Sequence, residues 1–304
     1  MTTSKRTDYG AELIVDQLLE CGEGPIWDPA SQTLFWCDSG TENMFSWQGQ
    51  TKSWQSLTAG TPTAALALHA EGGLVLAGRT GFYHWRPDQP LRAIAIQTVA
   101  GQEVTMVNEV IADPVGRLFG GQEAYRDNAP YAPGVLYRID LNGSAKVIET
   151  GLHNSNGMGF SPDQQRFYLI DTIPGLVYEY DYSVETGNIG NRRVLIRLDK
   201  NDGLPDGMTV DADGFLWVAR WFGSGLTRYD PDGKPERTVP LPIAQPTSLT
   251  FGGPDWEELY VTSAAAQWES PLAPARHDYT KPRGGGVYRI RQAIAGKPDF
   301  LARV

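Results

Sequence analysis

Residues Leu204–Ala219 read LPDGMTVDADGFLWVA, and this phrase decides the fold because its register returns along the whole chain. Asp206 stands before Gly207, apolar Met208 and Val210 alternate with Thr209, a polar DADG turn follows at 211–214, and Phe215–Ala219 resumes an apolar run. That is a strand, a tight turn and a second strand. The same phrase opens at Glu23 (EGPIWDPASQTLFWCDS), Asn108 (NEVIADPVGRLFGG) and Asn156 (NGMGFSPDQQRFYLIDT), and in weaker form at Ala64 and Thr247. The six openers are spaced by 41, 44, 48, 50 and 41 residues. Short strands repeating at about 40–50 residues mark a β-propeller, each repeat supplying one blade. A glycine and an alternating aromatic segment follow each strand pair, as at Gly134–Asp140, Gly175–Asp181, Gly225–Asp230 and Gly286–Ile290, and these read as third strands. Ala145–Glu149 and Arg193–Leu198 read as fourth strands. The expectation is an all-β, six-bladed β-propeller with four-stranded antiparallel blades.

The 304 residues fit a single domain spanning 1–304, with a polar, frayed terminus at 1–10. Blade one is expected over Glu23–Leu57, blade two over Ala64–Ile96 and blade three over Asn108–Glu149. A propeller needs its ring closed so that no long edge is left unpaired, and apolar Ala11–Leu19 is expected to join the last blade as its outer strand beside Gly286–Arg291. Insertions at Glu123–Gly134 and Ala264–Gly286, between second and third strands, are expected to overhang the channel as a substrate lid. The net charge of −10 repels phosphate backbones and acidic membrane surfaces, which argues against nucleic acid and membrane partners. No apolar run reaches the roughly 18 residues of a membrane span, and MTTSKRTDYG lacks the apolar core of a signal peptide, so a cytoplasmic protein, monomer or homodimer, is expected. Cys21 and Cys37 have no CxxC spacing and read as packing residues, with a bridge between them as the alternative.

If each repeat begins on the innermost strand, the openers encircle one mouth of the channel. Their identities are Glu23, Ala64, Asn108, Asn156, Asp206 and Thr247, with glycine following at Gly24, Gly157 and Gly207. Two carboxylates aimed at one point repel, and a divalent cation removes that penalty. The register holds oxygen donors without His or Cys, which favours Ca²⁺, Mg²⁺ or Mn²⁺ over a soft-ligand zinc site. Glu23, Asn156 and Asp206 as ligands leave open positions for water and substrate. Taken singly, Asn-Gly and Asp-Gly are more often plain turns; the shared register is what raises them above that.

The segments ECGEGPIWD (20–28), HNSNGMGFSPD (153–163), LPDGMTVDADGFLWVA (204–219) and PTSLTFGGPDWEELYVTSA (246–264) together resemble the SMP-30/gluconolactonase/luciferin-regenerating family, in chain order and over essentially the full length. The resemblance implies a six-bladed propeller that hydrolyses a small-molecule sugar lactone with one divalent cation, Ca²⁺ first and Mg²⁺, Mn²⁺ or Zn²⁺ as alternatives. By carry-over, Glu23, Asn156 and Asp206 match the metal ligands, and Asn108 matches the asparagine that touches substrate. Two positions depart from the pattern: Met106-Val107-Asn108-Glu109 stands where the family often has Arg-x-Asn-Asp, and GGQEAYRD at 120–127 replaces an acidic pair. The implied chemistry is ring opening by water, with Asp206 as ligand and general base and Asn108 orienting the carbonyl or the water. His153, Tyr125, Arg126 and Arg220 are further substrate-binding candidates, the arginines suited to a lactone with an acidic substituent. Each also reads as an ordinary structural or surface residue. The rival functions are a phosphotriesterase-like metal hydrolase on the same channel and a non-catalytic Ca²⁺-binding or interaction propeller.

Overall fold

The computed structural model describes residues 10–94, 98–99, 102–103, 106–123, 134–266, 273–275 and 277–304. Of the frayed terminus expected at 1–10 all but Gly10, the end of blade two at Ile96, and residues 124–133, 267–272 and 276 of the two insertions lie outside the described residues. Every described sheet is antiparallel and the chain is an all-β propeller. Four sheets have four strands each, and every one runs from an inner strand to an outer one. Their inner strands are Val107–Ala112, Ser155–Phe160, Leu204–Val210 and Pro246–Gly252. The last of these sheets is closed by Ala11–Val15, which pairs with Val287–Arg291, so the two ends of the chain share one sheet as expected.

The expectation of six separate four-stranded sheets needs correction. The segment from Gly22 to Ala93 forms one seven-stranded sheet, because Ser53–Leu68 is a single 16-residue strand. Its first part pairs with Thr41–Gln48 and its last part with Leu74–Gly78, and Thr63 has a partner on each side. The outermost strand of this sheet, Arg92–Ala93, has two residues. A two-stranded ladder joins Thr98–Val99 to Gln102–Glu103.

The turn five residues after each opener has a physical cause. Asp113 Oδ1 accepts the backbone N–H groups of Val115, Gly116 and Arg117 at 2.8–2.9 Å. Asp211 Oδ1 accepts those of Asp213 and Phe215, and Asp28 Oδ1 that of Ala30. An aspartate side chain that bonds its own backbone two residues on builds the turn locally. Buried Asp211 also takes Trp217 Nε1 and Arg228 Nε on its second oxygen, which fastens the turn to the second and third strands of its blade. In the weak second repeat His69 stands at the aspartate position, and its Nδ1 accepts the Glu71 N–H at 3.1 Å. The imidazole does the carboxylate's work there, which is why the sequence signal fades in that repeat.

The inner strands neighbour one another in cyclic order around the channel. They approach so closely that a side chain has no room at two of the glycines singled out above. A Cβ on Gly157 would stand 2.3 Å from the backbone nitrogen of Met208, and one on Gly207 would stand 2.2 Å from Ser248 Oγ. The ring is fastened where first meets last: Thr247 Oγ1 donates to the Gly22 carbonyl, and Trp27 stacks on Tyr260 with ring centroids 5.3 Å apart. On the face with the aspartate turns, the C-terminal segment crosses the channel. Ala212 N–H donates to Ala295 O, Gly296 N–H to Trp256 O, Ala302 N–H to Leu68 O and Arg303 N–H to Gly116 O. Lys297, Asp299 and Phe300 line the channel cavity at that end, a space of about 60 Å³. No helix of the described residues is long and apolar enough to cross a membrane.

Gly157→Ala should therefore lower stability by more than about 2 kcal/mol or prevent folding, since backbone rather than a flexible side chain must give way. Gly190→Ala, on an outer strand with open space around its Cβ position, should stay within about 0.5 kcal/mol of the parent. Urea unfolding of the two variants checks this; equal effects would mean that the inner strands are not in this contact.

Candidate functional site

The openers share one place in their strands. Glu23, Asn108, Asn156 and Thr247 are each second in an inner strand, and Asp206 is third. They therefore stand at the end of the channel opposite the C-terminal crossing. Asn156 and Asp206 are both buried, and the Asn156 amide Nδ2 donates to Asp206 Oδ1 and, at 3.3 Å, to Thr172 Oγ1. Residues fifty apart in sequence are thus in direct contact on neighbouring inner strands. Asn108 Nδ2 donates to the Ser155 carbonyl at 3.0 Å, which ties a third inner strand to the residue next to Asn156. Glu23 Oε2 accepts the Gly24 N–H at 3.3 Å.

Electrostatics joins these groups further. Burial pushes the Glu23 carboxyl well above the usual carboxylate range, and the charges of Asp206 and Glu109 push it in the same direction. Burial also raises Asp206, Glu109 adds to the rise, and the hydrogen bond from Asn156 opposes it. Glu109, adjoining Asn108 and lining the channel cavity, is pushed up to about 7 by burial, with Val110 N–H donating to its Oε1. The expectation named two carboxylates at the mouth and missed this third one. Strict alternation would turn the residue after Asn108 to the opposite face, but the pairing register shifts between Val107 and Glu109, and Glu109 reaches the channel. A cation drawn to the cluster meets carboxylate and amide oxygens, the donor chemistry of hard divalent ions, and its charge would answer the desolvation that raises all three carboxyls.

The remaining candidates are placed differently. His153 is exposed, and its Nδ1 lies 3.1 Å from Oδ2 of buried Asp171, whose Oδ1 accepts the backbone N–H groups of His153 and Asn154. Asp171 thereby fixes the chain as it enters the inner strand, as Asp38 does at 2.8 Å for the Cys21 N–H in the first repeat. Arg220 lies on the second strand opposite Pro205; its Nη1 faces the Asp202 carbonyl at 3.5 Å, and its buried Nε has no partner among the described residues. Burial lowers its pKa from the usual arginine value. Tyr125 and Arg126 lie outside the described residues. Cys21 and Cys37 are buried free thiols, in line with the packing reading, and burial raises both.

A second cluster was not singled out in the sequence. Ligand atoms of His69, Glu71 and His84 lie within 4.8 Å of one another, with the two imidazoles stacked at 3.8 Å. Each ring nitrogen already has a partner. His69 Nδ1 accepts from Glu71 N–H and its Nε2 faces the Val304 carbonyl; His84 Nδ1 faces the Arg92 guanidinium and its Nε2 the Gly72 carbonyl. Two neutral rings, each with Nε2 protonated, satisfy all four contacts. The pair fastens the C-terminal segment to the second repeat.

Residues 21–265 match the family model described as the SMP-30/gluconolactonase/LRE-like region. The chain is 34% identical over 294 residues to a pentonolactonase of Haloferax volcanii, covering 96% of this chain and 97% of the other. It is 34% identical over 287 residues to regucalcin of Homo sapiens, covering 92% and 93%. Among solved structures, a luciferin-regenerating enzyme superposes with a TM-score of 0.84 at 26% identity, covering 97% of this chain and 99% of that one. The acidic channel mouth is therefore that of a member of the SMP-30/gluconolactonase/LRE-like family, to which this chain belongs.

Proposed function

We propose that this protein is a lactonase that opens the ring ester of a sugar lactone to the corresponding sugar acid. The observation that carries the reading is the contact of Asn156 with Asp206 inside one buried carboxylate cluster with Glu23, in a chain whose relatives include a pentonolactonase. Glu23, Asn156 and Asp206 are the ligands for one divalent cation, with Ca²⁺ the first choice for an all-oxygen set. When bound, the cation supplies Lewis-acid polarisation of the lactone carbonyl. The residues do the rest. Asn156, by donating to Asp206 Oδ1, fixes the carboxylate that receives a proton from the incoming water. Asn108, held on the Ser155 carbonyl, keeps its amide at the mouth, where it orients the substrate. Water oxygen bonds to the carbonyl carbon, the ring C–O bond breaks, one proton ends on the former ring oxygen and the other leaves as the sugar acid ionises.

The same reading treats residues 1–304 as one domain and the seven-stranded sheet as two blades, which makes six around the channel. The pairing switch at Thr63 and the cyclic order of inner strands support it.

Asp206→Ala should lower lactone ring opening at least 10³-fold, read by acid release with Ca²⁺ present, while circular dichroism stays that of the parent. Retained turnover rejects the assignment, and hydrolysis of an organophosphate in preference to lactones favours the phosphotriesterase alternative. Stability should respond to pH in a defined direction. A carboxyl raised in the folded state binds more protons folded than unfolded, so stability is full below its unfolded value and falls as pH rises through its folded one. In chelator, the melting temperature should therefore drop by several degrees as pH rises from the ordinary carboxylate range, with the Glu109 component falling up to about 7 and levelling off above it. Glu109→Gln should remove that component and saturating Ca²⁺ should flatten the whole profile. A melting temperature that rises over this range in chelator would contradict the buried cluster.

A further inference from the structure

Beside the acidic mouth lies a second cavity, of about 280 Å³, lined by Asn201, Phe222, Ser224, His277, Asp278 and Lys281. Its walls come from three loops at the end where the inner strands begin. Asn201 lies in the turn leading into Leu204–Val210, Phe222 and Ser224 join Leu216–Trp221 to Gly225–Tyr229, and the other three belong to the loop before Val287–Arg291. Trp221 faces Leu204 in register, two residues from Asp206. At a strand rise of roughly 3.3 Å per residue, Phe222 is on the order of 10 Å from Asp206, about one sugar ring beyond a lactone at the mouth.

The chemistry of the walls is mixed in a particular way. Trp221, Phe222, His277 and Tyr279 form an edge-to-face ladder with centroids 5.8, 4.8 and 4.7 Å apart, running from buried Phe222 to Tyr279, which is 55% exposed. The electron-rich face of an aromatic ring packs against the C–H surface of a sugar ring, while amide, hydroxyl, ammonium and carboxylate groups exchange hydrogen bonds with its hydroxyls. Asn201, Ser224 and Lys281 supply donors, and Asp278 an acceptor whose Oδ1 is already steadied by Thr280. An isolated anion would meet the Asp278 carboxylate. An apolar group would leave the Lys281 ammonium and the Ser224 hydroxyl unused, whereas Asn201, whose Nδ2 already donates one hydrogen to Asp199 Oδ1 at 2.9 Å, keeps its second N–H and its carbonyl for a sugar hydroxyl.

We propose that this cavity is a subsite for the second ring of a disaccharide-derived lactone, whose lactone ring sits at the channel mouth. The substrate class is then an aldobionolactone, and the proposal rests on the lactonase reading for its catalytic half only. The subsite itself is a binding site for a neutral hexose ring, set by His277 stacking and by hydrogen bonds from Asn201 and Lys281.

The test compares D-gluconolactone with cellobionolactone on the Ca²⁺-loaded enzyme, and measures by calorimetry the binding of cellobiitol, a disaccharide alditol that has no ring ester to open. Expected are a kcat/KM about tenfold higher for the disaccharide lactone, and measurable cellobiitol binding. His277→Ala and, independently, Asn201→Ala should each remove about tenfold of the disaccharide kcat/KM, chiefly through KM, and weaken cellobiitol equally, while gluconolactone stays within twofold. If neither lactone is opened but cellobiitol binds and is weakened by the variants, the lactonase reading fails and the sugar subsite stands. If both lactones are opened equally well and cellobiitol does not bind, the lactonase reading stands and the subsite is overturned. A preference for 6-phosphogluconolactone that is lost in Lys281→Ala overturns it as well, because the cavity would then hold an anion.

Discussion

Like charge kept out of water is the constraint on which this molecule turns. Glu23, Glu109 and Asp206 stand around one channel, and burial raises each of them. Two unit charges about 4 Å apart at an effective dielectric of about 20 repel by about 4 kcal/mol, and desolvation adds to the cost. A chain assembles such a cluster only if the rest of the fold holds the inner strands together against it. The close approaches at Gly157 and Gly207, the shared terminal sheet and the C-terminal crossing are what oppose that repulsion. Gly157 and Gly207 directly follow Asn156 and Asp206, so the residues that carry the chemistry and those that let the strands close lie side by side.

That arrangement divides the blade along its length. At one end of each inner strand the chain bears the polar opener. At the other end, five residues on, a capped turn sends it back, with Asp28, Asp113 and Asp211 binding backbone N–H groups. The acidic residues of the repeat thus have two unrelated tasks, and position alone separates them. His69 shows that the second task is generic, since an imidazole nitrogen accepts the same backbone proton. No such exchange is open at the mouth, where Asn156 and Asp206 bond each other directly.

The propeller, its third strands and the N-terminal closing strand were legible in the sequence because period and alternation are properties of the pattern. Strands expected at Gly225–Asp230 and Gly286–Ile290 are found at Gly225–Tyr229 and Val287–Arg291. The merged sheet was not legible: nothing local marks whether the chain bends or breaks between Leu57 and Ala64, and here it runs through as one strand. At the mouth, the register brought Asn156 and Asp206 together correctly in advance, since equivalent positions on a ring must converge. Glu109 was hidden by the same reasoning, because it follows an opener instead of being one. Arg220 Nη1 lies 3.5 Å from the carbonyl of Asp202, in the turn that leads into Leu204–Val210, a backbone contact that spacing does not reveal.

The position of Arg220 bears on what the site accepts. A lactone carrying an acidic group needs a cation aimed at it, and the arginine common in the family before Asn108 is replaced here by Met106, a residue with φ of +57°. Met106 uses its backbone at the rim, where its carbonyl accepts the Glu123 N–H and its own N–H donates to the Arg79 carbonyl. Lys297 lines the same channel from the opposite end, beside Asp299. A cation held by Glu23 and Asp206 would offset their charge, so discrimination between neutral and anionic lactones falls to the side chains around the rim. Met106 in the arginine's place brings no charge to that rim, and a neutral polyol asks for none, because its hydroxyls pair with amide and carboxylate groups.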